Sequence, residues 1–404
     1  MRRVSTTALP AWLSLAVALA WSQNLHATVS LERTAIEQVE VQRAAQEQLI
    51  EETARQVMQQ NGIAGMAIAV TDHGVQRFYN FGVAAKDTGA PVTSDTLFEL
   101  GSISKTFTAT LATWAQAQGK LRLDAPIDSY LPALHDSRLG KVAVLHLATH
   151  TAGGFPLQVP DRVQDEQQLM AYFKAWQPQY LPGTHRSYAN PSIGLLGVIA
   201  AKSLGLPFDQ AMQQGLLPAL GLSATWIKVP ADKQSLYAQG YDRQDQPVRL
   251  NPGILADQAY GVKSSSADLI RFVEANIASH PPTSPLQEAL RATHTGYFSF
   301  GPAIQALAWE SYPPPADLSA LLAGNSNDMA LKTQPAQALR PPVPPAPGSW
   351  LNKTGSTNGF GGYVAFMADR KWGVVILANR NYPNPERVRL AQTILNAADT
   401  PLVR

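Results

Sequence analysis

The heptapeptide GSISKTF, residues 101–107, places three hydroxyl side chains around one amine. The hydroxyls belong to Ser102, Ser104 and Thr106, and the amine belongs to Lys105. A serine hydroxyl is a poor nucleophile at neutral pH and needs a neighbouring base, which a lysine amine can supply. The stretch therefore indicates nucleophilic catalysis at one of these hydroxyls, or, as the simpler alternative, a capped start of a helix.

Helical geometry distinguishes the three hydroxyls. The sequence predicts a helix from Ser102 to Gln118. Residues three apart share a helix face, with Cβ atoms about 5–6 Å apart, so Ser102 can reach Lys105. Ser104 and Thr106 lie on other faces, because each residue turns the helix by about 100°, and neither has a base beside it. The first turn also favours negative charge at Ser102 through its free N–H groups and the helix dipole.

Two further motifs accompany the serine and the lysine. Lys353-Thr354-Gly355 lies on a predicted strand near the C-terminal end. A Tyr-x-Asn motif occurs twice, as Tyr188-Ala189-Asn190 and as Tyr382-Pro383-Asn384. The first copy is predicted to stand where a loop enters a helix, and it lies between the other two motifs in chain order. The tripeptide Ser94-Asp95-Thr96 lies too close to residue 102 along the chain to join this set.

These motifs and their flanks resemble class C (AmpC-type) serine β-lactamases. The resemblance is carried by FELGSISKTF, HLATHTAGGFPLQVP, PGTHRSYANPSIGLLG, WLNKTGSTNGFGGYVAF and ILANRNYPNPERV. A Ser-x-x-Lys motif followed by Lys-Thr-Gly is shared by serine β-lactamases and penicillin-binding proteins. The resemblance implies hydrolysis of cephalosporins and penicillins through a serine acyl-enzyme, and hence antibiotic resistance. The alternatives are a DD-peptidase (penicillin-binding protein) or a related serine esterase on the same fold, and a penicillin sensor without enzymatic activity.

The resemblance also implies a role for individual residues. Ser102 is expected to become acylated, Lys105 and Tyr188 to form a proton-transfer pair in which either is the base, and Lys353 to bring positive charge to Tyr188 and to the substrate carboxylate. The N–H groups of Ser102 and Ser356 are expected to form the oxyanion hole. The expected substrate-binding residues are Gln158, Asn190, Thr354, Gly355, Ser356, Asn381 and Asn384, with Arg387 behind the last two. No cofactor and no metal is implied.

Four further positions bear on the expected site. Ser356 stands where the family often has Ala, and His150 stands where Tyr is common. His146 and His150 are four residues apart, which raises the alternative of a zinc pair, but the sequence offers no obvious third ligand. Glu310 is expected at the edge of the cleft and not as a catalytic acid.

Hydrophobic patterns predict the elements that position these residues. Residues 42–60 predict a helix, 65–70 a buried strand, and 72–74 the turn of a hairpin. SWLNKTGS, FGGYVAFMA and WGVVILAN predict three further strands, and 385–398 a last amphipathic helix. Helices and loops are predicted for much of 120–290. The expected fold is therefore α/β (α+β) and β-lactamase/DD-peptidase-like, with an antiparallel sheet from both chain ends, terminal helices flanking it, an inserted all-helical lobe, and the site in the cleft between the lobes.

Proline clusters lie at residues 313–315 and 341–347. They predict a stiff loop that leads into the strand of Lys353, in preference to a polyproline ligand for a partner domain. The whole segment 311–348 is expected to be rich in loops and, by the resemblance, to bound the pocket for the substrate side chain.

The N-terminus has the pattern of a secretory signal peptide. Arg2 and Arg3 precede a largely apolar run from Ala8 to Trp21, which is too short to span a membrane. Cleavage is expected near Ala27, or else at Ala20, which leaves residues 28–404 as the catalytic domain. The alternative is an N-terminal anchor helix. The expected product is a periplasmic monomer that does not associate with the membrane after signal cleavage.

Charge and cysteine content exclude several classes of function. Removing residues 1–27 takes away two arginines and no acidic residue, so 32 basic residues fall to 30 and match the 30 acidic ones. The sequence contains no stripe of basic residues of the kind that binds nucleic acid. The absence of cysteine excludes thiol nucleophiles, cysteine-ligated zinc and iron–sulfur clusters.

Overall fold

The computed structural model describes residues 40–399. The predicted signal peptide, 1–27, and the domain start at residue 28 lie outside the described residues. Contacts divide the chain into two units. One unit is Ala54–Gln392, which contains every predicted site residue, and the other comprises the chain up to Thr53 and from Thr393. In this second unit, residues 40–53 and 393–399 are helical.

The main structural feature of Ala54–Gln392 is an antiparallel sheet of nine strands. Labelled in chain order, they are β1 Gly65–Asp72, β2 Val75–Gly82, β3 Gly296–Phe300, β4 Ala303–Gln305, β5 Glu310–Tyr312, β6 Gln337–Val343, β7 Trp350–Ser356, β8 Gly361–Met367 and β9 Trp372–Ala378. Their spatial order is β6-β3-β4-β5-β7-β8-β9-β1-β2. The register of β1 on β9 pairs Met66 with Ala378 and Asp72 with Trp372. The prediction that both chain ends build one sheet is thus confirmed.

The helix Ser266–Ala278 packs on the central strands. Val273 of this helix packs closely on Gly373 of β9. A Cβ added at Gly373 would lie 2.3 Å from the Val273 Cγ1 atom. Glu274 accepts a hydrogen bond from the Thr71 hydroxyl of β1 at 2.6 Å. The strands β8 and β9 are buried along their whole length, which explains why they read as nearly continuous apolar runs in the sequence.

Four strands, β3 to β6, come from a region for which the sequence predicted no strands. The prediction of a stiff loop at residues 341–347 is wrong for the first three of them, since Gln337–Val343 is the edge strand β6. A proline is tolerated at a sheet edge, because its missing N–H would face solvent and not a neighbouring strand. The rest of the segment 311–348 holds the end of β5, the two-residue strand Gln334–Pro335 and two short helices, Leu318–Gly324 and Asn327–Leu331, besides loops.

The middle of the chain was predicted to form an all-helical lobe. It does consist mainly of helices and loops, but it also contains short β ladders, so the lobe is not entirely helical. The ladders pair Phe98–Glu99 and Thr225–Trp226 with Lys263–Ser264, His185–Arg186 with Gln334–Pro335, and Gly240–Tyr241 with Pro247–Val248. Two-residue strands are too short to show a periodic pattern, so the sequence does not reveal them.

The remaining helices have the following bounds. The α-helices are 40–61, Ser104–Ala117, Leu145–Ala148, Glu166–Ala175, Asn190–Leu204, Phe208–Gln210, Leu217–Ala219, Ala256–Ala259, Pro285–Thr293 and Asn384–Asp399, and Ala211–Leu216 is a π-helix. The 3₁₀ turns are Gly101–Ile103, Ile127–Ser129, Pro132–Leu134, Leu139–Lys141 and Ala231–Leu236. Between residues 40 and 399, no single helix has the length and hydropathy of a membrane span. The pair Asn190–Leu204 and Phe208–Ala219 meets both criteria only together and is bent by 79°.

Candidate active site

Ser102 lies in a 3₁₀ turn, Gly101–Ile103, and the α-helix begins only at Ser104. The predicted helix start is therefore two residues too early. Gly101 has a φ of +52°, and a Cβ at this position would lie 2.5 Å from the backbone nitrogen of Ser356. Only glycine permits this approach. It brings the backbone of the Ser102 turn against strand β7, where the two predicted oxyanion-hole residues become neighbours.

Lys105 is fully buried and contacts three oxygen atoms. Its Nζ lies 2.9 Å from the Ser102 Oγ, 2.6 Å from the Asn190 Oδ1 and 2.9 Å from the Ala259 carbonyl oxygen. Burial lowers the pKa of Lys105 to about 8; Tyr188 opposes this change, and the charge of Lys353 adds to it. The predicted contact between Ser102 and Lys105 is thus present.

The other two hydroxyls of the heptapeptide have structural partners. The Ser104 Oγ accepts a hydrogen bond from the Val262 N–H at 3.0 Å. The Thr106 hydroxyl donates to the Ile103 carbonyl oxygen at 2.8 Å. Both residues are buried, and their hydroxyls point to backbone groups, so the choice of Ser102 from helical geometry agrees with their placement.

Tyr188 lies between the two lysines, just before the helix Asn190–Leu204. The Nζ atoms of Lys105 and Lys353 are 5.2 Å and 5.0 Å from its ring centroid. Burial raises the pKa of Tyr188, but the charges of the two lysines and the interaction with Ser102 outweigh it and lower the pKa to about 8. With this pKa, part of the phenol is ionised near neutral pH, and the ionised form can accept a proton.

Lys353 is a buried cation that faces the cleft. It is 2% exposed, its Nζ donates to the Thr354 carbonyl oxygen at 3.3 Å, and within residues 40–399 no carboxylate forms a salt bridge with it. A cleft of 670 Å³ opens here, lined by Lys353, Thr354, Gly355, Ser356, Asn381 and Asn384 and also by Arg243 and Arg380. A buried cation without a counter-charge favours an anionic ligand, so this arm suits a carboxylate.

A second arm of the cleft lies on the other side of Ser102. It has a volume of 580 Å³, and its lining includes Gln158, Asn190, Asn251 and Tyr260. Ser102, Tyr188 and Ser356 line both arms. The Asn190 N–H donates to the Leu157 carbonyl oxygen at 2.9 Å, which holds the Gln158 loop beside the helix start. A substrate cleaved at Ser102 can therefore extend in both directions.

Arg387 is buried behind the first arm, as predicted. Its guanidinium donates to the Asn381 Oδ1 at 2.8 Å, to the Gly355 carbonyl oxygen at 2.7 Å and to the Ser356 Oγ at 3.1 Å. Burial lowers the pKa of Arg387 to about 10. The Asn384 amide donates to the Asn325 carbonyl oxygen at 3.2 Å. These contacts fix the orientation of both asparagines at the cleft.

Glu310 was expected at the edge of the cleft, but the structure places it deeper. It lines the cleft from a buried position on β5 and forms a salt bridge of 2.8 Å with Arg186, which is 1% exposed. Arg186 also donates to the Gln305 Oε1 at 2.6 Å, and its guanidinium lies 5.3 Å from the Tyr188 ring centroid. Sequence reasoning missed this pair, although Arg186 stands only two residues before Tyr188.

The two histidines proposed as an alternative zinc pair have other partners. The His146 Nδ1 lies 2.8 Å from the Thr151 hydroxyl, and the His150 Nδ1 accepts a hydrogen bond from the Ala189 N–H at 3.2 Å. In the part of the chain that the structure describes, no group of three or more His, Cys, Asp or Glu side chains could hold a metal ion.

Glu99 is a second residue that sequence reasoning missed. This buried carboxylate accepts hydrogen bonds from the Tyr237 hydroxyl at 2.5 Å, the Leu250 N–H at 2.7 Å and the Thr357 hydroxyl at 2.6 Å. It links the segment before Ser102 to two walls of the second arm, and nothing in the linear sequence marks these partners as neighbours.

Comparison with known proteins places the chain among relatives of one kind. A sequence profile of the family described as Beta-lactamase matches residues 50–399. A relative from Pseudomonas fluorescens named beta-lactamase is 49% identical, over 87% of this chain and 98% of that protein. The structure of a protein named beta-lactamase/D-alanine carboxypeptidase from Pseudomonas syringae is 65% identical, with a TM-score of 0.86 over 88% of this chain and 99% of its own. A class C beta-lactamase in complex with cefoxitin is 47% identical, with a TM-score of 0.85 and coverage of 88% and 99%.

Proposed function

The chain belongs to the β-lactamase family, and on this premise we propose that it hydrolyses β-lactam antibiotics as a class C serine enzyme with Ser102 as its nucleophile. The observation that carries the assignment of residues is the contact of Ser102 with Lys105, together with the position of Tyr188 between Lys105 and Lys353. The match to the cefoxitin complex supports a β-lactam as the ligand of this cleft.

Acylation begins when the substrate carboxylate binds in the arm of Lys353 and Asn381. The Ser102 Oγ attacks the β-lactam carbonyl carbon and passes its proton to Tyr188. The N–H groups of Ser102 and Ser356 bind the oxygen that becomes negative. The carbon–nitrogen bond of the ring then breaks, the nitrogen receives a proton from Tyr188, and an ester on Ser102 remains.

Deacylation repeats these steps with water as the nucleophile. Water attacks the ester carbonyl carbon and gives its proton to Tyr188. The ester bond breaks, and the Ser102 oxygen leaves and takes that proton back. The open-ring acid then departs and the enzyme returns to its first state.

Tyr188 is the better candidate for the base of the pair. The three acceptors around the Lys105 Nζ match the three donors of an ammonium group, so Lys105 fits as a fixed positive charge. The Tyr188 hydroxyl has no hydrogen-bond partner within residues 40–399. Its oxygen is thus free to exchange protons with Ser102 and with water.

The function is tested with purified protein and a chromogenic cephalosporin. The parent enzyme should turn over rapidly, and Ser102→Ala should abolish both turnover and the acyl adduct seen by mass spectrometry. Ser104→Ala is the matched control, because it removes a hydroxyl two residues away, at the start of the helix, whose one hydrogen bond within residues 40–399 comes from the Val262 N–H. It should retain turnover with reduced stability. A parent enzyme without turnover above the background rate would contradict the proposal.

The alternative is a D-alanine carboxypeptidase, since the similar protein from Pseudomonas syringae is named for both activities. The two functions differ in the fate of the acyl-enzyme. A β-lactamase hydrolyses the ester on Ser102, whereas a penicilloyl adduct that persists on Ser102 for hours, together with release of D-alanine from a D-alanyl-D-alanine peptide, would favour the carboxypeptidase.

We also propose that the protein is exported to the periplasm and acts there as a monomeric cephalosporinase that confers resistance. The support for export is the pattern of Arg2, Arg3 and the apolar run Ala8–Trp21. The protein from a periplasmic extract should begin after Ala27, or else after Ala20, when its N-terminus is sequenced. A retained N-terminus in the membrane fraction would favour the anchor alternative.

A further inference from the structure

His150 contacts the backbone on both sides of Tyr188. Its carbonyl oxygen accepts a hydrogen bond from the Ser187 N–H at 2.9 Å, and its imidazole Nδ1 accepts one from the Ala189 N–H at 3.2 Å. Its ring also packs against the Tyr188 ring, with centroids 4.4 Å apart and planes inclined by 42°. One residue thus contacts three consecutive residues, of which the middle one is the proposed base.

Tyr188 depends on such contacts for its placement. Its hydroxyl is buried without a hydrogen-bond partner in the described residues. A base that exchanges protons with Ser102 and with water must have its oxygen within hydrogen-bond reach of both. The position of the phenol oxygen is therefore set by the packing of the ring and by the backbone that carries it, and His150 contacts both.

The conformation of His150 has an energetic cost. The residue is 2% exposed and has a φ of +60°, in the left-handed region that residues other than glycine seldom adopt. Such a conformation persists where the surrounding contacts enforce it. Here it accompanies two hydrogen bonds that His150 accepts from the backbone N–H groups of Ser187 and Ala189.

We propose that His150 is a positioning residue for the reaction: it clamps the backbone of Ser187 and Ala189 and thereby holds the Tyr188 phenol between Lys105 and Lys353. The inference rests on the proposed role of Tyr188 as the base.

The clamp requires a neutral imidazole. Because the Ala189 N–H donates to Nδ1, the imidazole proton lies on Nε2, which has no partner within residues 40–399. Burial, together with the positive charges of Arg186, Lys105 and Lys353, holds the pKa of His150 well below its ordinary value. The hydrogen bond therefore persists across the pH range in which Tyr188 titrates.

Two substitutions separate the hydrogen bond from the ring contact. His150→Asn keeps an acceptor at the δ position and tolerates the left-handed conformation, but it removes the ring. His150→Phe keeps the ring and removes the acceptor, which leaves the buried Ala189 N–H unpaired. The pKa of Tyr188 is read by NMR in protein labelled with ¹³C at the tyrosine Cζ atoms, and Tyr188→Phe identifies the signal.

The hydrogen bond is expected to matter more than the ring. His150→Phe should slow acylation by a chromogenic cephalosporin about tenfold, as expected for one lost hydrogen bond. It should also raise the Tyr188 midpoint by about 0.5–1 pH unit, because the phenol moves away from the lysine charges. His150→Asn should keep the parent midpoint and acylate within about threefold of the parent rate.

Three outcomes would overturn the proposal. The first is a His150→Phe enzyme that keeps the parent Tyr188 midpoint and the parent acylation rate. The second is a His150→Asn enzyme whose acylation rate falls as much as that of His150→Phe. The third is a His150→Phe enzyme with a lower melting temperature but an unchanged Tyr188 midpoint. The NMR titration needs no substrate. It therefore tests the clamp even if the parent enzyme hydrolyses no β-lactam.

Discussion

At the scale of single residues, the chemistry depends on two positive charges near one phenol. Lys105 is fully buried and contacts the Ser102 hydroxyl, whereas Lys353 lies on strand β7 with its Nζ 5.0 Å from the Tyr188 ring centroid. Burial alone would raise the pKa of Tyr188, and the lysine charges reverse that effect. A single Ser-x-x-Lys motif supplies only one of these charges, so the strand carrying Lys353 is equally necessary.

The first prediction concerns the phenol oxygen. Tyr188→Phe removes one atom that has no hydrogen-bond partner in the described residues, so the melting temperature should stay within a few degrees of the parent value. Turnover should fall by about 10²–10⁴-fold, the usual contribution of a general base. Steady-state kinetics and thermal unfolding of the same preparation measure both effects. Turnover close to the parent rate would remove Tyr188 from the proton transfer.

A second prediction concerns pH. The proton acceptor must be deprotonated to act, and the pKa of Tyr188 is lowered to about 8. The acylation rate should therefore rise about tenfold per pH unit well below pH 8. It should stop rising near pH 8 and fall at higher pH, because the pKa of Lys105 is also lowered to about 8 and the lysine then loses its charge. The midpoints belong to the coupled pair of Tyr188 and Lys105. Stopped-flow acylation between pH 6 and 10 measures this profile. A rate independent of pH over that range, or a midpoint near 10, would contradict it.

At the scale of elements, the site depends on how closely two backbones approach. The turn Gly101–Ile103 packs against strand β7. A Cβ at Gly101 would lie 2.5 Å from the backbone nitrogen and 2.5 Å from the backbone oxygen of Ser356. This contact sets the distance between the serine and the Lys-Thr-Gly strand. A helix or strand prediction alone carries no information about it, because it depends on elements 255 positions apart in the sequence.

The third prediction tests this approach with a matched pair of glycines. Gly101 and Gly89 both have positive φ, +52° and +65°, but a Cβ at Gly89 would meet nothing within 4 Å. Gly89→Ala should cost about 1 kcal/mol of unfolding free energy through backbone strain alone and leave turnover unchanged. Gly101→Ala should lower turnover more than about 100-fold, because the oxyanion donors are displaced. Equal behaviour of the two variants in kinetics and urea unfolding would refute the close-approach argument.

At the scale of the whole described chain, one buried ion pair joins the middle of the sequence to the main sheet. Arg186, on a two-residue strand, bonds to Glu310 on β5 and to the carbonyl oxygen of Met329 in the segment that lines the cleft. Removing one partner of such a pair leaves a buried charge uncompensated, whereas replacing both by apolar residues is often tolerated.

A fourth prediction follows for stability. Arg186→Met should lower the unfolding free energy by about 3–5 kcal/mol, since the Glu310 carboxylate stays buried without its counter-charge. The double variant Arg186→Met, Glu310→Met should recover most of that loss. Urea unfolding of the two single variants and the double variant measures the coupling. Additive losses would show that the two residues stabilise the protein independently.

The fold class, the family and the central strands could be predicted from the amino-acid sequence. Apolar runs bounded by turn residues, such as residues 361–367, indicated buried strands. The angular spacing of a helix pointed to Ser102 among the hydroxyls of residues 101–107, and Ser102 does contact Lys105, although it lies in a 3₁₀ turn before the helix. The structure also brings the predicted residues Ser102, Lys105, Tyr188 and Lys353 together, although their catalytic roles stay predictions until tested.

Other features of the protein follow only from contacts in three dimensions. The edge strand Gln337–Val343, the buried pair of Arg186 and Glu310 and the hydrogen bonds of Glu99 all depend on contacts between residues far apart in the chain. Local patterns report which face of an element is apolar, but they do not report which distant element it meets. For the same reason His150 appeared in the sequence as an unusual residue or a metal ligand, and its contacts with Ser187 and Ala189 became visible only in three dimensions.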